Sequence, residues 1–236
     1  MIADVIENLV AANRILVAEG VLDAYGHVSA RHPDHSDRYL LSRALAPDLV
    51  TAADVIEYDL DSNSIDAQGR NIYLERFIHG EIYKVRTDVK AVIHSHSPAV
   101  IPFGIIQTPM QPVYHQSTFL YGGVPVWDIR DVPSPDAAGL LVRNRDLGKA
   151  LAATLGDKSV ALMRGHGNVV VGPDVQTAVR YAIYTEVNAR LQAIALSIGG
   201  GGPINYISAE EARARAEAPN DFGRAWEIWK KRALGK

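Results

Sequence analysis

The sequence predicts one large α/β domain. Stretches whose apolar residues recur every three or four positions alternate with short apolar runs bounded by turn residues, the signatures of helix and strand. No linker divides the 236 residues, and 47% hydrophobic beside 22% charged residues is the balance of a globular chain with a substantial core. Residues 1–236 therefore read as a single domain, with a helical tail from about residue 204 onward.

Residues 2–19 place Ile2, Val5, Ile6, Leu9, Ile15 and Leu16 at helical spacing, with Gly20 as the stop. From Val21 to about Asp61 the pattern is strands or hairpins, with a loop at residues 33–37 and a turn at residues 61–64. A helix is predicted over about 72–86, with Leu74, Phe77, Ile78, Ile82 and Val85 on one face. Residues 91–96 form a short buried strand, and Ser97-Pro98 has the chemistry that starts a helix. Residues 113–127 read as mixed strand and turn, and residues 147–155 as a helix closed by Gly156. Two strands, 160–163 and 168–171, flank Gly165-His166-Gly167, and a long helix follows over about 173–198. The glycine run 199–202, with Pro203 behind it, is a loop or hinge; no strand feeds it, as a phosphate loop requires. Ser208 and Glu211 make a capping box for the tail, where Phe222, Trp226 and Trp229 dock the helix or a subunit interface.

Composition excludes several function classes. A formal net charge of −3 gives no basic face for nucleic acid. With no cysteine, disulfides and thiolate metal sites are excluded, so a metal would sit on histidine, carboxylate or water. The acidic, amphipathic N-terminus is not a signal peptide, and no apolar run approaches the ~20 residues of a membrane span. The expectation is a cytoplasmic protein with neither nucleic-acid nor membrane partner.

The strongest local signal is His94-Ser95-His96. Side chains alternate along a strand, so residues 94 and 96 point the same way and reach one cation from a rigid base. A hydrogen-bonded histidine pair at a strand end reads equally well on this motif alone. His166 lies between two glycines, which allow a tight turn and close backbone approach, and a third imidazole leaves an open position suited to Lewis-acid chemistry. Glu75 lies at the start of the preceding predicted helix, where an acid also suits the helix dipole. His79, one helical turn on, could orient Glu75, ligate the metal or simply pack.

Glu75-Arg76-Phe77-Ile78-His79, then Tyr83, Arg86, Asp88, Ala91-Val92-Ile93-His94-Ser95-His96 and Gly165-His166-Gly167, resemble the class II aldolase/adducin family over most of the chain. The resemblance implies an α/β/α sandwich with a central, mainly antiparallel sheet flanked by helices. It implies one divalent metal ion per subunit, Mn²⁺ or Zn²⁺, on His94, His96 and His166, with Glu75 as acid/base. It also implies a homotetramer in which a neighbouring subunit completes the pocket.

Members of that family include sugar-phosphate aldolases and epimerases, decarboxylases of hydroxyaromatic acids, and structural adducins without a complete metal site. Phosphosugar aldolases carry a Gly-Asn-x-Ser segment early and a hydroxyl-rich Thr/Ser-Gly segment next. Here the first reads Gly26-His27-Val28-Ser29 and the second Leu41-Ser42-Arg43-Ala44, so the phosphate cradle is altered in both places. The pattern resembles the decarboxylase branch. It implies a divalent-metal-dependent decarboxylase of an ortho-hydroxylated aromatic (poly)carboxylate, such as a dihydroxyphthalate or hydroxypyridine dicarboxylate, in aromatic catabolism. An aldolase acting on a hydroxy-acid or sugar-derived substrate is the alternative, and an adducin-like interaction module is a second one.

Glu75 and His115 are the candidate catalytic residues, and Arg43, His27, Ser29, Arg76 and Tyr114 the candidate substrate-binding residues. Arg43 interrupts an apolar run, where its guanidinium would need a carboxylate partner. Arg31 is expected in a surface salt bridge, and His32 and His35 are expected to be solvated.

Overall fold

The computed structural model describes residues 1–200, 202–218 and 223–235. Seven strands make one sheet: β1 (His27–Arg31), β2 (Arg38–Ser42), β3 (Val55–Asp59), β4 (Ala91–Ser95), β5 (Val126–Trp127), β6 (Val160–Met163) and β7 (Gly167–Gly172), in the order β3-β2-β1-β4-β7-β6-β5. Every neighbouring pair is antiparallel except β5 with β6. The helices are α1 (Ile2–Ala18), α2 (Phe77–Val85), α3 (Arg145–Leu155), α4 (Val175–Ile198), α5 (Ala209–Glu217) and α6 (Gly223–Leu234).

Strand periodicity sorts the core into two layers. On one face Val28, Ala30, Leu40, Ile93 and Val170 pack against Leu9 and Ile15 of α1, Ala178 and Ile183 of α4, and Trp226 and Trp229 of α6. On the other face Leu41, Val92, Val169 and Val171 meet Ile78 and Ile82 of α2 and Leu147 and Leu151 of α3. The result is the expected α/β/α sandwich. The two tail tryptophans are buried within their own chain, and Phe222 lies outside the described residues.

Three local expectations are corrected. Residues 72–76 are not α-helical. Leu74–Arg76 form a 3₁₀ turn in which Glu75 takes φ −89° and ψ 16°, and α2 begins only at Phe77. No α-helix follows Ser97. Its hydroxyl donates instead to Glu186 of α4 at 2.5 Å, and the Ala99 amide donates to the same carboxylate at 3.0 Å. Residues 109–117 are tied to α4 by side-chain amides. Asn188 accepts from the Val113 amide and the Ser117 hydroxyl and donates to the Gln111 carbonyl, and Gln192 donates to the Pro109 carbonyl. These long-range bonds outweigh local propensity, so residues 115–120 become a 3₁₀ segment and only Val126–Trp127 pairs as strand.

Two basic side chains also differ from expectation. Arg31 is buried and makes no salt bridge among the described residues; its guanidinium donates to the carbonyls of Val89, Ser36, Tyr83 and Arg86. His32 is buried and its Nδ1 accepts from the amides of Asp34 and His35, while His35 itself is exposed. Among the described residues no helix is long and apolar enough to cross a membrane.

Candidate functional site

The sheet register assembles the site. His94 is the next-to-last residue of β4, paired with His27 on β1 and Val169 on β7, so its side chain stands on the α2/α3 face. His96 lies just beyond the strand end. His166 is delivered by the β6–β7 turn, in which Gly165 adopts φ +64°, a conformation other residues take with strain. At Gly167 a Cβ would overlap the Ser95 carbonyl oxygen, so only glycine lets β7 approach β4 closely enough to bring His166 beside His96. Glu75 arrives from the opposite side on its 3₁₀ turn.

One ligand atom each from Glu75, His94, His96 and His166 lie within 4.8 Å of one another. Nε2 of His166 is 3.1 Å from Nε2 of His96, and Oε2 of Glu75 is 3.6 Å from Nε2 of His94 and 3.5 Å from Nε2 of His166. Three of the four outer atoms are held in place. His94 Nδ1 is 3.1 Å from the Asn168 carbonyl, His96 Nδ1 is 2.9 Å from the Asp23 carboxylate, and Glu75 Oε1 accepts from the Val142 amide at 2.8 Å.

His94 Nε2 is a buried nitrogen with no hydrogen-bond partner, aimed at the other three ligand atoms. An orphaned buried polar atom is costly unless something meets it. Three imidazole nitrogens converging beside the Glu75 carboxylate, two of the rings anchored on their far side and His166 Nδ1 buried without a partner, can hold a divalent cation. Burial pushes the His94 imidazole down to about 3 despite the nearby Glu75 carboxylate, which keeps its lone pair available. Burial pushes the Glu75 carboxyl up, but the hydrogen bond to His166 and the attraction of His94 and His166 outweigh it and hold it at about 2. Glu75 is thus a carboxylate at neutral pH.

Beside the cluster is a cavity of about 450 Å³ with a mostly apolar wall that includes Tyr25, Leu45, Tyr73, Leu74 and Leu141; His27, Glu75 and His96 also line it. The remaining candidates are placed elsewhere. Arg43 is ion-paired with Asp54 at 2.6 Å and lies outside this wall. Arg76 donates to the carbonyls of Ser62 and Tyr73, stacks over Phe77 and does not line the cavity. Ser29 is fully buried beneath the wall, between His79 and Tyr83. Tyr114 packs on Tyr184, His115 is exposed, and neither lines this cavity. Internal carbonyls and carboxylates capture these cations, which the sequence alone does not reveal.

Sequence reasoning missed Asp23. It accepts from the amides of Tyr25 and Gly26, and the same carboxylate orients His96. The Asp-x-Tyr-Gly turn signature was present, but its distance of 73 residues from His96 hid the pairing. Replacing such a partner costs about 10–100-fold in metal affinity. Asp23→Asn protein is expected to bind Zn²⁺ more weakly by that factor in a chelator-competition titration, with little change in thermal stability.

The Class II Aldolase and Adducin N-terminal domain matches residues 7–193. Decarboxylase tropJ of Talaromyces stipitatus is 36% identical, the match covering 95% of this chain and 92% of that protein. The 3,4-dihydroxyphthalate decarboxylase of Arthrobacter keyseri is 31% identical over 82% of this chain and 79% of its own. Among solved structures, the L-fuculose 1-phosphate aldolase of Glaciozyma antarctica superposes with a TM-score of 0.76 at 26% identity, covering 99% of this chain and 88% of that one. The chain belongs to the class II aldolase and adducin family, among its carbon–carbon lyases.

Proposed function

We propose that the protein is a divalent-metal-dependent decarboxylase of an ortho-hydroxylated aromatic carboxylate. The observation that carries this reading is the juxtaposition of the Glu75, His94, His96 and His166 cluster with a cavity walled by apolar side chains. Such a wall suits the faces of an aromatic ring, whereas a phosphosugar offers it little apolar surface. The names of the relatives from Talaromyces stipitatus and Arthrobacter keyseri point the same way. The substrate class extends to dihydroxyphthalates and hydroxypyridine dicarboxylates.

A cation held by His94, His96 and His166, Mn²⁺ or Zn²⁺, supplies Lewis acidity that stabilises negative charge on oxygen. The protein's own residues supply the proton chemistry. Glu75, ionised at neutral pH, takes the phenolic proton as the substrate seats. It then returns that proton to the ring carbon bearing the carboxylate, giving a dearomatised keto form. Loss of carbon dioxide leaves the bond's electron pair in the ring and restores the phenolate, which a solvent proton quenches on release. The apolar walls suit the faces of the ring, and Glu75, which lines the same cavity, delivers its proton to carbon there. Tyr114 and His115 contribute only if a homotetramer brings them to a neighbour's cavity.

Purified protein supplied with Mn²⁺ or Zn²⁺ should release carbon dioxide from 2-hydroxylated benzoates, phthalates and pyridine carboxylates but not from the same acids lacking the ortho hydroxyl. Aldehyde formation from hydroxy acids, with no carbon dioxide from any aromatic acid, would replace this reading with an aldolase.

A further inference from the structure

Beneath the cavity wall runs a buried chain of hydrogen bonds that the chemistry above does not use. The Tyr83 phenol is 2.9 Å from Ser29 Oγ, Ser29 Oγ is 2.6 Å from His79 Nδ1, and His79 Nε2 is 2.6 Å from His27 Nδ1. Tyr83, Ser29 and His79 are wholly buried, and His27 is 1% exposed. His27 Nε2 finds no protein partner among the described residues. It is not closed off by packing, so it opens on the cavity that His27 lines.

Hydrogen-bond accounting gives the chain a direction. Among the described residues the Tyr83 phenol has one acceptor in reach, Ser29 Oγ, so its proton goes there. The Ser29 hydroxyl, already accepting, donates its own proton to His79 Nδ1. His79 then carries its proton on Nε2 and donates it to His27 Nδ1, and with Nδ1 accepting, His27 carries its proton on Nε2. The reverse order would have Ser29 accept from both neighbours and leave its own buried hydroxyl proton without an acceptor, a penalty that a buried polar group avoids.

We infer that His27 presents an Nε2–H donor to the cavity and selects an anionic oxygen of the substrate, and that His79, Ser29 and Tyr83 are positioning residues that fix its tautomer. The oxygen would be a carboxylate or phenolate, and that part rests on the decarboxylase reading. The polarity of the chain does not. His27 Nε2–H meets oxygen acceptors and turns away ligands that place a hydroxyl or ammonium donor there. Tyr83 closes the chain at a phenol whose acidity burial suppresses, so the chain orients His27 without carrying a net proton to the cavity.

The test is nitrogen NMR of the full-length, Zn²⁺-loaded protein labelled with ¹⁵N-histidine, with His27→Gln used to assign the ring. A bare imidazole nitrogen is readily told from a protonated one. The expected spectrum shows His27 bare at Nδ1 and protonated at Nε2, with His79 the same. Ser29→Ala, which removes the donor to His79, should turn both rings into mixed tautomers. Binding of 2-hydroxybenzoate should weaken on the order of tenfold in His27→Phe, the loss of one hydrogen bond to a charged group. A wild-type His27 bare at Nε2 would overturn the inference, as would unmixed tautomers in Ser29→Ala or undiminished 2-hydroxybenzoate binding in His27→Phe. Failure to release carbon dioxide alongside the expected tautomers would strike the decarboxylase reading alone.

Discussion

His94→Ala protein is expected to fold, to hold no stoichiometric divalent cation and to show only background turnover. His94 is fully buried, its Nδ1 is fixed by the Asn168 carbonyl, and its Nε2 has no protein partner. Removing it takes away one of the three imidazoles and the bond that orients it. The fold also loses the packing of a buried ring, a truncation that costs about 2–5 kcal/mol and is read separately from metal loss. The hydrogen bond to Asn168 contributes about 0.5–1.5 kcal/mol, small against the 5–15 kcal/mol of an ordinary domain. Metal analysis on protein passed through a desalting column, alongside a thermal melt, separates loss of metal from loss of fold. A folded variant that retained a full equivalent of metal would remove His94 from the ligand set.

Glu75→Gln is the second large effect, and it differs in kind. Glutamine keeps the Oε1 that accepts from the Val142 amide, so the 3₁₀ turn and the cavity wall should persist. It cannot accept or return a proton. A positioned acid or base contributes about 10²–10⁴-fold, so kcat should fall by that range with metal content preserved. Held down at about 2, the Glu75 carboxyl stays ionised in wild-type protein throughout the neutral range. Undiminished kcat in the glutamine variant would take Glu75 out of the reaction.

What was legible in the sequence follows from how local each determinant is. Helices α1 and α3 carry helical periodicity, α4 is a long alanine-rich run, and β4, β6 and β7 are short apolar runs, and the structure places them within about two residues of the expected bounds. His94, His96 and His166 were legible because the constraints around them are local: a short buried strand leading into the histidine pair, Gly165 in a positive-φ turn, and Gly167 where a Cβ would strike β4. The elements that misled are those whose partners lie far along the chain. Ser97 looks like a helix cap until Glu186 claims its hydroxyl. Arg43 looks like a ligand for a foreign carboxylate until Asp54 supplies one. Ser29 is a plausible pocket hydroxyl until β1 packs on α2 and His79 and Tyr83 close over it. His27 was picked for departing from an asparagine, but its donor character comes from a chain of contacts spanning more than 50 residues of sequence.

The most direct test of the account is a titration. Metal-stripped protein should release no carbon dioxide from 2-hydroxylated aromatic acids, and release should rise in proportion to added Mn²⁺ or Zn²⁺ until one equivalent per subunit is bound. The same titration on His94→Ala protein should stay flat. Release from stripped protein at the full rate, or an equal response in the His94 variant, would contradict a metal-dependent decarboxylase centred on these three histidines.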